Sequence, residues 1–231
     1  MRTLLKRLFL FLGISGILLI MAGCNLKVSL GGSGDTETTR EIEKSINSFK
    51  AAVEAYDVEG MLGFLEENPP EDPLTIVEGN DRYDKTYETL KTELEEDAPY
   101  QLTWRKPSTE EGGWGYTLTM QLGTVIFTRL GTSGANVVVP FSIIEASEKL
   151  SHEAETDRGH MVYSMVKLQG TWRCRHMTIH FNPAGNTGSA SINSVGPASS
   201  QVISKARYNK KRAKGFGLGD PEAFIETTGH K

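Results

Sequence analysis

The side chains best suited to chemistry fall late in the sequence, where Asp157, His160, Cys174, His176 and His180 follow one another. A carboxylate or an imidazole inside an apolar pocket can carry protons near neutral pH, because burial moves its pKa toward that range. We therefore treat Asp157, His160 and His176 as the candidate catalytic residues, with a tyrosine as hydrogen-bond donor.

The middle of the chain argues against this chemistry. From Gly112 to Ile144 there is no Asp, Glu or His, and Arg129 is the single charged residue. Glu145 and Asp157 come near the ends of predicted strands, where a solvated charge is the simplest interpretation. The sequence therefore favours a noncatalytic protein.

Cys174, His176 and His180 share the parity of one strand, so we expect them on one face. Thiolate and imidazole suit zinc or copper. Same-face neighbours lie about 6.7 Å apart, so one ion could join Cys174 and His176 but not His180. A structural cysteine and hydrogen-bonded histidines are the favoured interpretation. We predict no metal and no cofactor, with a Cys174–His176 site as the alternative.

Methionine and tyrosine residues mark a second candidate site. Met161, Tyr163 and Met165 alternate along one strand, and Met120 and Met177 occupy strands that could adjoin it. Such side chains make adaptable apolar surface, which suits a pocket for a small apolar ligand. A plain hydrophobic core explains the pattern equally simply and is the favoured interpretation.

Helices are predicted to position these residues from the N-terminal side. Apolar residues at spacings of 4, 3, 4 and 3 form one helical stripe from Ile42 to Tyr56. Asp57 can cap a short second helix, which Pro69 and Pro70 end. A third helix is predicted from about Asp81 to Glu96, with Pro99 beyond its end.

Alternating apolar residues then predict strands and tight turns. The predicted strands are Tyr100–Arg105, Trp114–Leu122, Thr124–Leu130, Asn136–Ala146, His160–Leu168 and Thr171–Phe181. Gln169 and Gly170 form a two-residue hairpin signal. Helices followed by a strand meander indicate an α+β protein.

The first 23 residues predict an export signal. A basic start and an apolar run too short to span a bilayer lead to Met21-Ala22-Gly23-Cys24. This end resembles the bacterial lipobox, although Met21 stands where leucine is usual. The resemblance implies lipidation of Cys24 by diacylglycerol, with residues 24–38 as a flexible tether. A cleaved secretory signal is the alternative.

Residues 183–231 predict a low-complexity, largely disordered tail that does not pack. Its segment KARYNKKRAK, residues 205–214, is basic and carries no acid. It could contact anionic lipid headgroups or have no partner.

Two local signatures resemble those of the nuclear-transport-factor-two-like superfamily, which includes ketosteroid isomerases and polyketide cyclases. They are Tyr56-Asp57-Val58-Glu59-Gly60 between two helices and the turn through Gly170 into Thr171-Trp172-Arg173. The resemblance implies that residues 39–182 form three helices on a strongly curved antiparallel sheet of about five to six strands, often enclosing a pocket. A cystatin-like sheet on one helix is the alternative.

The net charge of −4 excludes a dedicated nucleic-acid binder. We therefore predict a lipid-anchored binding module on the extracytoplasmic face of a bacterial membrane, either plasma or outer. Its expected partners are the membrane and a small apolar ligand or an envelope protein, and a homodimer is left open. The alternative is an isomerase, cyclase or hydrolase that uses a pocket in the cone.

Overall fold

The computed structural model describes residues 36–182, 214–219, 221, 222 and 224. Three helices, α1 to α3, span Thr36–Ala55, Val58–Phe64 and Tyr87–Arg105. Seven strands, β1 to β7, span Leu74–Glu78, Asp81–Lys85, Tyr116–Leu122, Ile126–Leu130, Gly134–Ser147, His152–Leu168 and Thr171–Phe181. Cys24 and the predicted signal and tether up to residue 35 lie outside the described residues. None of the helices described here is long and apolar enough to cross a membrane.

The first two helices form as their sequence predicts. The apolar stripe of α1 is buried from Ile42 to Val53. Tyr56 then adopts a φ of 54°, which breaks the helix, and Asp57 begins the next one. Its side chain accepts a hydrogen bond from the backbone N–H of Gly60 at 3.0 Å, as a helix N-cap does.

The third helix is longer and begins later than predicted. Asp81–Lys85 is strand β2 rather than helix, because it pairs with Leu74–Glu78, a strand that the sequence analysis missed. Thr86 caps α3, which then runs through Pro99 to Arg105. The predicted strand Tyr100–Arg105 is therefore wrong. Its alternation was misleading because the inward helical positions here are polar, and Gln101 is buried.

The sheet has the order β2-β1-β7-β6-β5-β3, with β4 also pairing to β5. Strands β1 and β7 run parallel, so the sheet is mixed and has seven strands rather than an antiparallel five or six. Register shifts interrupt the ladders beside Ile143 in β5 and Met165 in β6. Such bulges bend a strand, and the three helices pack on the curved sheet. The α+β prediction is confirmed.

The core fills the space between the helices and the inner face of the sheet. Phe49 of α1 stacks on Phe64 of α2 at 4.6 Å between ring centroids, and Phe64 meets Tyr163 of β6 edge to face at 5.7 Å. Trp172 of β7 is also buried, and its indole N–H donates to Glu41 at 3.0 Å. Phe49 lies in the predicted apolar stripe of α1, and its burial confirms that stripe.

The described residues near the C-terminus pack on the core, so the prediction that residues 183–231 do not pack is wrong for them. We name residues 214–219, 221, 222 and 224 the C-terminal strap. Phe216, Pro221 and Phe224 are buried in it. These apolar side chains give the strap surface to bury, which the low-complexity sequence before it lacks. The remainder of the predicted tail lies outside the described residues.

Candidate functional site

A group of polar side chains lies inside the domain where α3 and the end of α1 face β3 and β5. We name it the polar cluster. Its members are Tyr56, Asp97, Gln101, Arg105, Tyr116 and Glu145. It is the feature of the described structure that combines buried charge with aromatic surface.

Arg105 is the centre of this cluster. It ends α3 and lies one helical turn beyond Gln101, whose side-chain oxygen accepts a hydrogen bond from Arg105 Nη1 at 2.6 Å. The guanidinium lies 5.3 Å from the ring centroid of Tyr56 and 5.0 Å from that of Tyr116. This places a cation against two aromatic rings. Its Nε–H is buried and has no hydrogen-bond partner in the structure.

Tyr116 and Glu145 form a buried pair. The Tyr116 hydroxyl donates to Glu145 Oε1 at 2.5 Å, and each residue is 1% exposed. Adjacent strands bring them together, since Glu145 of β5 pairs directly with Leu118 of β3. A carboxylate at this depth requires polar partners, and tyrosine and the nearby guanidinium both serve that need.

Asp97 fixes the opposite side of the cluster. Its Oδ2 accepts hydrogen bonds from the Tyr56 hydroxyl and from Gln101 Nε2, each at 2.9 Å. Burial, together with the negative charge of Asp97, raises the pKa of Tyr56 above its usual range. Tyr56 therefore stays protonated and keeps its hydrogen bond to Asp97. This bond and the one from Tyr116 to Glu145 hold the two rings that face Arg105.

The cluster keeps its positive charge despite burial. Desolvation lowers the pKa of the Arg105 guanidinium, whereas Tyr116, Tyr56 and Glu145 raise it. Because arginine begins from a pKa above 12, it stays protonated. The arrangement can bind an acceptor or an anionic group attached to a flat ring.

The C-terminal strap covers this cluster. The Phe224 ring lies 6.2 Å from the Tyr116 ring and 5.6 Å from the His152 ring, measured between centroids. The Gly219 backbone passes beside the Tyr116 hydroxyl and Leu118. The strap therefore covers the Tyr116 side of the polar cluster, whereas Tyr56, Asp97 and Arg105 are only partly buried.

The structure does not bring the three candidate catalytic residues together. Asp157 is 4% exposed and lies on the inner face of β6. His160 lies on the outer face and stacks on His180 at 4.5 Å between ring centroids. His176 is also on the outer side, where its Nδ1 is 2.6 Å from the carbonyl oxygen of Asp72.

The prediction that Glu145 and Asp157 are solvated is wrong. Both are buried: Asp157 because β6 begins well before its predicted start, and Glu145 because its side chain faces inward beside Tyr116 of β3. Strand β5 continues to Ser147, and β6 begins at His152 rather than at His160. The carboxylates thus lie within the sheet and not at its rim.

Cys174 and His176 point to opposite sides of β7. A register shift pairs Cys174 with Met165, which faces inward, and His176 with Ser164, which faces outward. Their predicted common face is therefore wrong. Burial raises the pKa of the Cys174 thiol, so it stays protonated. The described residues hold no group of three or more metal-binding side chains.

The five candidate pocket residues belong to the continuous core. Met120, Met161, Tyr163, Met165 and Met177 are each at most 1% exposed. The Tyr163 hydroxyl lies 2.8 Å from the sulfur of Met161, and burial raises the Tyr163 pKa. All five side chains are buried among the residues of the hydrophobic core.

A groove of about 390 Å³ lies elsewhere, between α1, α2 and the β6–β7 turn. Lys44, Ser48, Gly60, Gly63 and Arg173 are among its lining residues. None of the five candidate pocket residues lines it. Phe49, Phe64 and Trp172 also line it, so it is an open groove of mixed polar and apolar character, distinct from the polar cluster.

Sequence reasoning missed Arg105, Gln101 and Tyr116 as site residues. Gln101 and Arg105 are four residues apart, which is a helical spacing, but the prediction treated this segment as a strand. The sequence analysis expected a tyrosine as hydrogen-bond donor without saying which one. The pairing of Tyr116 with Glu145 depends on the β3–β5 register.

No family model and no curated protein matches the chain. Its backbone is similar to a nuclear-transport-factor-two-like protein with a cystatin-like fold from Novosphingobium aromaticivorans, at 11% identity and a TM-score of 0.45 over 67% of this chain and 85% of that one. It is similar to the beta subunit of the benzoate 1,2-dioxygenase from Burkholderia mallei, at 6% identity and a TM-score of 0.49 over 65% and 93%. A protein of unknown function with a cystatin-like fold from Nostoc punctiforme is similar at 11% identity and a TM-score of 0.43, over 65% and 96%. The α+β assignment rests on the elements and pairings of the chain itself.

Proposed function

We propose that the protein is a noncatalytic binding module of the nuclear-transport-factor-two-like type, and that its ligand carries a flat ring with an anionic or acceptor group. The observation that supports this is the buried Nε–H of Arg105, which has no partner in the structure. A buried donor on a cation is costly to leave unpaired, so such a group calls for an acceptor. The rings of Tyr56 and Tyr116 beside it supply the aromatic surface.

The separation of the candidate proton carriers supports a binding role. Asp157 faces the interior, whereas His160 and His176 face outward. Acid–base catalysis needs its groups within reach of one substrate atom. These three residues have no such common point.

Native mass spectrometry tests the ligand proposal. We expect the protein purified from its own membrane to carry a bound mass, and Arg105→Gln to lose it, because the guanidinium holds the acceptor group. Arg129→Gln is the matched control, since Arg129 lies on β4 outside the cluster and should keep the ligand. If the wild type and both variants show only the mass of the protein without a ligand, the proposal is contradicted.

The second part of the proposal is a lipid anchor at Cys24 that holds the domain on the extracytoplasmic face. It rests on the sequence Met21-Ala22-Gly23-Cys24 after an apolar run. In membrane fractionation, Cys24→Ala should lose its acyl mass and be released to the soluble fraction. A soluble wild type without acyl groups would contradict the anchor and leave the ligand proposal standing.

A ketosteroid-isomerase-like enzyme is the second candidate, and one contact favours it. Tyr116 and Glu145 lie 2.5 Å apart between oxygens, so two titratable groups do converge in the interior. If the co-purified molecule is chemically converted by the wild type but not by Glu145→Gln, the protein is an enzyme. Unchanged ligand in both samples supports the binding module.

A further inference from the structure

We propose that the C-terminal strap is an internal competitor for the ligand site, so that it must leave the polar cluster before a ligand can enter. This inference rests on the proposed function, because it concerns access to the same site. The strap then has a regulatory role. The strap and the ligand exclude each other, so any change that displaces the strap increases ligand binding.

Aromatic contacts hold the strap against the domain. Phe216 meets Phe49 of α1 edge to face at 5.1 Å between ring centroids. Phe224 contacts Tyr116, whose ring also faces the Arg105 guanidinium. A phenyl ring thus occupies the place beside Tyr116 that the ring of a ligand would take.

The strap backbone follows a path that only glycine permits. Gly215, Gly217 and Gly219 have φ values of 48°, 66° and 68°, in the left-handed region. A Cβ atom added to Gly219 would lie 2.0 Å from Leu118 Cδ1. This distance shows that the Gly219 backbone packs closely against Leu118 of β3.

The contacts of the strap also suit reversible binding. The Gly215 N–H donates to Glu93 Oε2 at 2.8 Å, and the Phe216 and Phe224 rings make the edge-to-face contacts described above. Within the described residues, the strap joins no strand of the sheet. A segment held by side-chain contacts can detach while the sheet and helices remain intact.

The strap covers Tyr116 but provides no hydrogen-bond acceptor to the Nε–H of Arg105. Phe224 packs its ring beside Tyr116, and the buried Arg105 Nε–H has no hydrogen-bond partner among the described residues. A ligand with both a ring and an anionic group would satisfy both features. It therefore has a contact that the strap lacks and can compete with it.

The test uses residues 25–231 without the lipid and 1-anilinonaphthalene-8-sulfonate, a dye with fused rings and a sulfonate. Gly219→Val should displace the strap, because valine is strained at a φ of 68° and its Cβ would lie 2.0 Å from Leu118 Cδ1 and 3.1 Å from the Tyr116 hydroxyl. Gly79→Val is the matched control: it has a similar φ of 57°, lies in the β1–β2 turn, and meets nothing within 4 Å. Fluorescence titration should show about tenfold tighter dye binding for Gly219→Val than for the wild type. This factor is expected if the strap covers the site in about nine tenths of the wild-type molecules. Gly79→Val should bind the dye as the wild type does.

Hydrogen exchange reports the strap itself. The amides of the strap should exchange faster in Gly219→Val, and in the double variant Phe216→Ala/Phe224→Ala, while those of β6 stay protected. Near-ultraviolet circular dichroism verifies that each variant is folded. If Gly219→Val unfolds, the double alanine variant carries the same test.

The outcomes separate the two proposals. A released strap with unchanged dye affinity overturns the inference and leaves the ligand site intact. A strap that stays protected in both strap variants also overturns it, because the segment is then permanent core. If Gly219→Val binds the dye tightly and adding Arg105→Gln changes nothing, the proposed ligand site fails, whereas the covering role of the strap stands.

Discussion

Two tyrosines at the same depth have opposite surroundings. Tyr163 and Tyr116 are both almost fully buried on the inner face of the sheet. The Tyr163 hydroxyl meets only the thioether of Met161 among the hydrogen bonds described, and its ring packs against Phe64. The Tyr116 hydroxyl meets the Glu145 carboxylate, and its ring faces Arg105 and the C-terminal strap.

The comparison divides the interior into an apolar end and a polar end. At the apolar end, strands β6 and β7 and helix α2 supply Met, Phe and Leu, and packing alone stabilises the region. At the polar end, α3 presents Gln101 and Arg105, and the strap supplies part of the cover. The ligand proposal places its site at the polar end, where the strap forms part of the cover and the buried Arg105 Nε–H has no hydrogen-bond partner in the described part of the chain.

The largest expected effect comes from Phe49, which joins the two ends by touching both Phe64 and Phe216. Phe49→Ala should lower the free energy of unfolding by about 3–5 kcal/mol, as truncation of a buried aromatic does. Urea unfolding measures it, with Phe49→Leu as the milder control. A loss below about 1 kcal/mol would mean that Phe49 is outside the stabilising core.

Removing one hydroxyl from each tyrosine sharpens the comparison. Tyr116→Phe takes a hydrogen bond from the buried Glu145 carboxylate and should cost about 1–3 kcal/mol. Tyr163→Phe should cost less than about 1 kcal/mol, because a thioether is a weak acceptor. Equal losses of unfolding free energy in the two variants, measured by urea unfolding, would contradict the distinction between the two ends.

The smallest effect is expected on the outer face, where His160 and His180 stack. Partial burial, and then the charge of His160, lowers the pKa of His180. The unfolded chain therefore takes up the proton more readily, so the stability contribution is present above about pH 6.5 and is lost as the pH falls through the folded-state pKa. Thermal unfolding midpoints at about pH 7.5 and 5.5 should differ less in His180→Gln than in the wild type. An unchanged difference would show that this pair does not contribute to the pH dependence.

Local patterns predicted the fold well where one strong period or turn signal was present. The stripe of α1, the Asp57 cap and the Gln169-Gly170 turn follow from short-range chemistry, and Gln169 and Gly170 do adopt φ values of 50° and 83°. The β1–β2 hairpin was missed because Tyr83 continues the helical spacing of α3, and the pairing of β1 with β7 joins segments about a hundred residues apart. Such long-range pairing has no local sequence signature.

The candidate site was harder to predict, for the same reason. Glu145 was recognised as a charge near a strand end, and its burial was not, because strand length depends on the neighbouring strands. Arg105 was placed on a strand, since a polar inner face removes the apolar period that marks a helix. The strap was hidden in a segment whose composition resembles a disordered tail.

The sequence by itself determined the helix and strand periods, the apolar residues of the core and the motif at Cys24, because these depend on neighbours along the chain. The tertiary structure alone decided which polar groups meet. It brought Arg105, Tyr116 and Glu145 together from three elements, and it sent His176 to the opposite side from Cys174 through one register shift. Register and helix docking fix these contacts, and both are settled only when the whole core packs at once.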